Sequence, residues 1–180
     1  MIYSNRLRLR SAEKTDLPRF VAWLNDPEVR RHLLINLPLS MTQEERWYDS
    51  MSQRQPAEQV LVIEVREGED WPPIGTISFH QIDWVNRSTE VGILIGEKAY
   101  WNQGYGRDAM RLMLRHGFST LNLNRIYLHV FEDNLRGIRA YERAGFIQEG
   151  RLRQDVFREG RYWDVLIMSV LREEWRDGTF

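Results

Sequence analysis

The sequence predicts one mixed α/β (α+β) domain, and three observations lead there. Between residues 58 and 96, three runs rich in Val and Ile follow one another with only short turn-rich breaks, the pattern of an antiparallel meander. After residue 101 the apolar period changes, with Met110, Met113, Leu114 and Gly117 recurring at helical spacing. The last third alternates strand-type and helix-type segments, so sheet and helix must share one core.

Taken in order, "RLRLR" (6–10) alternates with period 2 and reads as a strand. "TDLPRFVAWLND" (15–26) reads as a helix, with Thr15 or Asp16 as cap and Pro18 in the first turn. A second helix is expected from Thr42, where Thr42 and Glu45 have the spacing of a reciprocal capping box. "EQVLVIEVRE" (58–67), "IGTISFHQID" (74–83) and "TEVGILIG" (89–96) are the three meander strands, punctuated by "GEDWPP" and "WVNRS". A helix follows Gly106. "RIYLHVF" (125–131) is a strand, and "NLRGIRAYERAG" (134–145) is a helix with Gly145 in the usual position after its last turn. "FIQEGRLRQDVF" (146–157) and "YWDVLIMSVL" (162–171) are two strands joined at "REG". Neither a repeat nor a linker interrupts the 180 residues, which suffice for one domain with a core of its own.

Composition narrows the functional classes. Lys and Arg number 25 against 26 Asp and Glu, so nothing in the overall charge favours a nucleic acid or an anionic membrane as partner. There is no cysteine, which removes disulfides, thiolate nucleophiles and cysteine-based zinc sites. His32, His80, His116 and His129 have no ligand spacing, and no metal is assigned. No apolar run approaches the roughly 20 residues of a membrane span, and the N-terminus alternates Arg with Leu rather than forming a signal sequence. A cytoplasmic protein is expected.

The stretch "YWNQGYGRDAM" (100–110) sets two glycines at the mouth of a helix. A plain tight turn would use glycine for the bend alone. A phosphate ligand would use it differently: the free N–H groups and positive end of a helix attract an anion, and a missing Cβ lets the backbone approach it. Arg107 adds a cation there. A dinucleotide fingerprint is a further alternative, with Gly104, Gly106 and Ala109 at G-x-G-x-x-[GA] and Glu132 as the ribose-binding acid. It implies a nicotinamide-dependent oxidoreductase. The antiparallel meander before the loop and the long spacing to Glu132 disfavour it.

The run "WNQGYGRDAM" followed by "NLRGIRAYERAGF" resembles the GNAT superfamily of N-acetyltransferases. Gly104 and Gly106 fill the glycines of [QR]-x-x-G-x-[GA], although Trp101 stands where Gln or Arg is usual. Asn134, Gly137, Tyr141, Gly145 and Phe146 fill N-x-x-[AGS]-x-x-x-Y-x-x-x-G-F. The closing "EGRLRQDVFREGRYWDVLIMSV" resembles the branch that contains ribosomal-protein N-terminal acetyltransferases and spermidine acetyltransferases.

The resemblance implies a strongly bent mixed sheet of about seven strands with about four helices, in which the strands 88–95 and 125–131 splay apart. It implies acetyl-CoA as co-substrate, with no metal. The pantetheine arm would pair with Ile93, Leu94 and Ile95 by strand addition. The diphosphate would be gripped by main chain between Gln103 and Asp108, that is by Gln103, Gly104, Tyr105, Gly106, Arg107 and Asp108. Asn134 and Gly137 would lie beside the arm.

Acetyl transfer to an amine requires a neutral amine, a stabilised oxyanion and a protonated leaving thiolate. Tyr141 is the candidate acid for the thiolate; without the resemblance it reads as a core aromatic beside Ile138 and Ala144. Glu90 is the candidate base, directly or through water; otherwise it is a solvated strand-end carboxylate or a partner for Arg87. A strand amide near Leu94 would hold the oxyanion.

The resemblance also implies an acceptor pocket along residues 30–47. Ile35, Asn36 and Leu37 lack the acids that spermidine acetyltransferases usually carry there, although Glu44 and Glu45 are close. A peptide N-terminus or a small amine is therefore expected, with a polyamine as the alternative. Trp47, Trp84 and Trp101 are candidates for the groove or for the core. A catalytically silent acyl-CoA sensor is a third reading that Tyr141 and Glu90 argue against. A monomer or homodimer is expected.

Overall fold

Leu7 and Leu9 are buried while Arg8 and Arg10 turn to the other face, so the period-2 stretch does form a strand. The computed structural model describes residues 1–35 and 38–176. Its strands are β1 (Ile2–Tyr3), β2 (Leu7–Ser11), β3 (Leu61–Val65), β4 (Pro73–Asp83), β5 (Ser88–Ile95), β6 (Arg125–Phe131), β7 (Ile147–Arg158) and β8 (Arg161–Leu171). The main helices are α1 (Leu17–Asn25), α2 (Pro27–Arg30), α3 (Met41–Ser52), α4 (Tyr105–Arg115) and α5 (Leu135–Ala144). The expected order of elements holds; the two-residue β1 raises the sheet to eight strands, and the one-turn α2 is additional.

Local chemistry corrects two expectations at helix starts. Helix α3 begins one residue earlier than expected, because Ser40 and Gln43, not Thr42 and Glu45, make the capping box. Asp16 precedes α1 but does not cap it with its side chain. Its carboxylate instead accepts the Glu13 N–H at 2.8 Å and both Arg10 amino groups at 2.7 Å. Arg10 also donates to the buried Glu64, so β2 and β3 are tied by charge as well as by backbone. The third strand is shorter than residues 58–67, since Pro56–Glu58 forms a 3-10 turn.

Strand order is β1-β2-β3-β4-β5-β6-β8-β7, and β5–β6 is the parallel pair. This is not a doubly wound sheet, and the dinucleotide reading loses its framework. Ile63, Ile77, Phe79 and Val91 pack with Met110, Met113 and Leu114 of α4 in the main core. On the opposite face Val62 and Leu94 meet Leu17, Phe20 and Trp23 of α1 and Met51 of α3. The period of two along β5 thus sends Ile93 and Ile95 to one core and Leu94 to the other.

The parallel pairing of β5 and β6 stops at Glu90↔Tyr127. Beyond it β5 keeps its bonds to β4 as far as Ile95↔Gly75, and β6 keeps its bonds to β8 as far as Phe131↔Val165. Each strand therefore has one unpaired edge facing the other. The expected splay between 88–95 and 125–131 is present.

Candidate active site

A cleft of about 490 Å³ opens where β5 and β6 diverge. Ile93, Leu94 and Ile95 form one wall. The free edge of a strand is a row of amides and carbonyls awaiting a partner. Trp101 already takes one of these groups, its Nε1–H donating to the Ile95 carbonyl at 2.8 Å. The Arg136 guanidinium lies 3.7 Å from the centroid of the same ring. Trp101 thus serves as cleft wall and as part of the second core together.

Gly104 precedes α4 with φ +84°, a left-handed conformation that costs other residues about 1–2 kcal/mol. The turn alone explains Gly104. It does not explain Gly106, which lies in the helix and whose Cβ would meet only Ile95 Cγ1 at an ordinary 3.9 Å. No protein neighbour demands glycine at 106, so the space a side chain would fill is left to the cleft. No side chain caps α4, and Gly104, Tyr105, Gly106 and Arg107 line the cleft at its N-terminus. This is the donor set that an anion such as a diphosphate requires.

Gln103 and Asp108 do not line the cleft; they hold the loop in place. Gln103 donates to the Ala99 carbonyl at 2.7 Å. The buried Asp108 carboxylate accepts from Arg6 and from Arg107, each at 2.8 Å. Arg107, the cation expected beside the loop, lines the cleft and is tethered by its neighbour Asp108.

Helix α5 forms the floor. Asn134 Oδ1 accepts the Gly137 N–H at 3.0 Å, which makes it the helix cap. Asn134, Gly137 and Tyr141 all line the cleft, together with Arg136, Arg139 and Arg143. Burial pushes the Tyr141 phenol up to about 12, against a smaller opposing pull from Arg136. The hydroxyl therefore keeps its proton throughout the physiological range. The ring packs on Phe146 at 6.1 Å and on the main core, so the core-aromatic and the cleft readings of Tyr141 are both true of it.

Glu90 is not paired with Arg87. It accepts from, or shares a proton with, His129 Nδ1 at 2.8 Å, and both side chains line the cleft. His129 was passed over in the sequence because no spacing joins it to Glu90; the register does. Tyr127 faces Glu90 across the parallel pair, and His129 is the next residue on the same face. His80, the cross-strand neighbour of Glu90 on β4, bonds Ser78 Oγ at 3.0 Å and lies outside the cleft.

The far end of the cleft is lined by Val29, His32, Leu33 and Phe131. Behind them Arg158 donates to Asp133 Oδ2 at 2.7 Å and to the Arg31 carbonyl at 2.5 Å, its guanidinium 4.7 Å from the rings of Phe131 and Trp163. Burial lowers the His32 imidazole more than nearby Asp133 raises it. Of the residues expected here, Asn36 and Leu37 lie outside the described residues. Glu44 and Glu45 do not line the cleft, and burial raises the Glu44 carboxyl. Trp47 packs against Phe20 in the core, and Trp84 hydrogen-bonds Gln55 away from the cleft. Glu132 is engaged by Arg151 and by the Asp164 N–H, not turned to a ligand. Among the described residues no group of three His, Asp or Glu is placed to hold a metal, and no helix is long and apolar enough to cross a membrane.

Residues 6–147 match the acetyltransferase (GNAT) domain family. The chain is 30% identical over 172 residues to the spermidine N(1)-acetyltransferase of Vibrio cholerae serotype O1, covering 96% of each chain. It is 34% identical over 101 residues to YdaF of Bacillus subtilis (strain 168), which is provisionally named a ribosomal N-acetyltransferase, covering 56% of this chain and 55% of that protein. The crystal structure of the Vibrio cholerae spermidine N-acetyltransferase, in complex with CoA and spermine, superposes with a TM-score of 0.85 at 30% identity, covering 93% of this chain and 96% of that one.

Proposed function

This chain belongs to the GNAT acetyltransferase family, and from that premise we propose how its cleft carries acetyl from acetyl-CoA directly to a primary amine. The observation that carries the reading is the free edge of β5 beyond Glu90, with the N-terminus of α4 at one end and Tyr141 on the floor. The cleft residues fit the co-substrate: Gly106 leaves a Cβ-sized space at a helix N-terminus, and the open strand edge suits an extended amide-bearing arm.

Bound acetyl-CoA supplies a thioester carbonyl activated for attack by an amine. The chain's own residues do the rest. Backbone amides of Tyr105, Gly106 and Arg107 hold the diphosphate, and the β5 edge near Ile93, Leu94 and Ile95 orients the arm and offers an amide to the oxyanion. Tyr141 keeps a proton ready for the leaving sulfur; its raised phenol favours that protonated state. Glu90 and His129, in contact and lining the cleft, are the candidates for receiving the proton lost by the amine.

The acceptor is a primary monoamine, such as a peptide N-terminus or a small amine, that attacks in its neutral form. Among the described residues Glu90 is the one carboxylate that lines the cleft, and it is engaged with His129. A polycation needs several carboxylates. The spermidine acetyltransferase among the relatives, matched over 96% of this chain, favours a polyamine as the second reading. Free CoA released on mixing acetyl-CoA with spermidine, spermine, small monoamines and peptides beginning Ser, Ala or Thr decides between them. Turnover of spermidine above every monoamine and peptide would reverse the preference, and no CoA release with any amine would end the acetyltransferase reading for this cleft.

A further inference from the structure

The contact between Glu90 and His129 changes which group takes the amine proton. Oε1 of Glu90 stands 2.8 Å from Nδ1 of His129, and both side chains are open to the cleft. A carboxylate beside Nδ1 holds the ring proton there and leaves Nε2 with a lone pair. Nε2 has no partner among the described residues. The contacting carboxylate oxygen, meanwhile, is already occupied as an acceptor by the ring. Residue chemistry points the same way. An unperturbed imidazole titrates near 6.5 and a carboxylate near 4.3, so the imidazole is the better match to proton transfer at neutral pH.

We propose that His129 Nε2 is the base that receives the proton from the acceptor amine, and that Glu90 is a positioning residue that sets the tautomer of His129 and supports its imidazolium. The inference rests on the acetyltransferase reading above. In the step, the lone pair of the neutral amine forms the N–C bond at the thioester carbonyl. The C–S bond breaks with its electron pair leaving on sulfur. The proton from nitrogen goes to Nε2, and the thiolate takes the Tyr141 proton. Both groups then exchange with solvent.

Helix α5 brings Arg136, Arg139 and Arg143 into the same cleft as His129. Tyr127 shares its strand, with ring centroids 5.9 Å apart, and Arg125 over Tyr127 is held by Glu149. Strand β8 sets the uncharged Ile167 beside it. His80 lies one strand beyond Glu90 on β4, Tyr141 shares the cleft from α5, and the His32–Asp133–Arg158 group stands at the far end. Glu90 makes the close contact.

The test compares wild type, His129→Gln and Glu90→Gln. CoA release is followed from pH 5.5 to 9 with the best amine of the panel, and the histidine tautomer is read from long-range ¹H–¹⁵N spectra. Wild-type His129 should be the Nδ1–H form, and Glu90→Gln should lose that preference. His129→Gln should lower kcat by about 10²-fold or more and remove the acid limb of the kcat/KM profile. Glu90→Gln should lower kcat less, because the imidazole base is kept and only its orientation and tautomer are released. An acetyl-CoA thermal shift retained by both variants reports intact folding. An Nε2–H tautomer in wild type, or His129→Gln turning over within twofold of wild type with its acid limb intact, overturns the proposal. A wild type that releases no CoA with any amine refutes the acetyltransferase reading instead, and the spectra still decide the dyad.

Discussion

Asn134 and Gly137 require each other. Asn134 Oδ1 accepts the Gly137 N–H at 3.0 Å, and a Cβ on residue 137 would lie 2.6 Å from Asn134 Nδ2. The small residue lets the cap fold over the first turn of α5, and the cap fixes where that helix begins. Tyr141 follows seven residues after Asn134, about 10 Å along the axis at 1.5 Å per residue.

Replacing Gly137 with Ala should therefore act through Asn134. The cap is displaced, at about 1 kcal/mol of stability. Because Gly137 and Tyr141 both line the cleft, KM for acetyl-CoA should rise several-fold as well. A melting curve and a KM for Gly137→Ala that both match wild type would show that the helix start tolerates the change.

Acetyl-CoA should raise the melting temperature, since it binds the folded state alone. At a concentration 100 times Kd the stabilisation is about 2.7 kcal/mol. NADH should give no shift. Gly104→Ala should weaken the acetyl-CoA shift, because φ +84° at the start of α4 strains any residue with a Cβ. A NADH shift equal to that of acetyl-CoA would return the glycine loop to the dinucleotide reading.

Tyr141→Phe should fold normally, since the ring contacts with Phe146 and the core are kept. Its kcat should fall about 10²-fold, well beyond any change in KM, through loss of the proton for the leaving thiolate. The raised phenol also predicts no Tyr141 limb in the wild-type profile below about pH 10. Near-wild-type turnover in the variant removes the hydroxyl from the mechanism.

Stability should fall as the solution is acidified, in two stages. Burial lowers the His80 and His116 imidazoles, in His80 against the pull of Glu90, so their share is complete above the ordinary value of 6.5 and is lost as pH drops through the folded values. Asp16 and Glu149 follow. Burial raises Asp16, but Arg10 and the Glu13 amide together outweigh it. The Arg125 hydrogen bond lowers Glu149 to about 2. Their contributions are present above the ordinary carboxylate values and disappear below them. Melting temperatures across pH 3–8 check this, and His116→Gln should flatten the upper stage. A melting temperature that rises between pH 6.5 and 5 contradicts the sign.

The order of elements was legible because it rests on periodicity: two for Leu7–Arg10, 3.6 for Met110–Gly117. Helix starts were less so. Ser40–Gln43 and Thr42–Glu45 both satisfy the capping pattern, and the choice depends on how Leu39 is held by Asn25, whose side chain bonds its N–H and carbonyl at 2.8 Å each. In the site, the glycine loop, Asn134, Gly137 and Tyr141 were visible as motif positions. The placing of Gln103 and Asp108 outside the cleft was not, because Arg6, which donates to the Asp108 carboxylate, comes from the other end of the chain.

What the sequence alone determined is what neighbours along the chain decide: strand and helix periods, a glycine turn before α4, and the place of Tyr141 on α5. What only the tertiary structure decided is how far β5 and β6 stay paired. Glu90 and His129 are 39 residues apart, and their contact follows from a register that ends at Tyr127. A period of two says which face a side chain takes, but not which partner it finds there. That depends on strand pairing, set by the packing of the whole sheet.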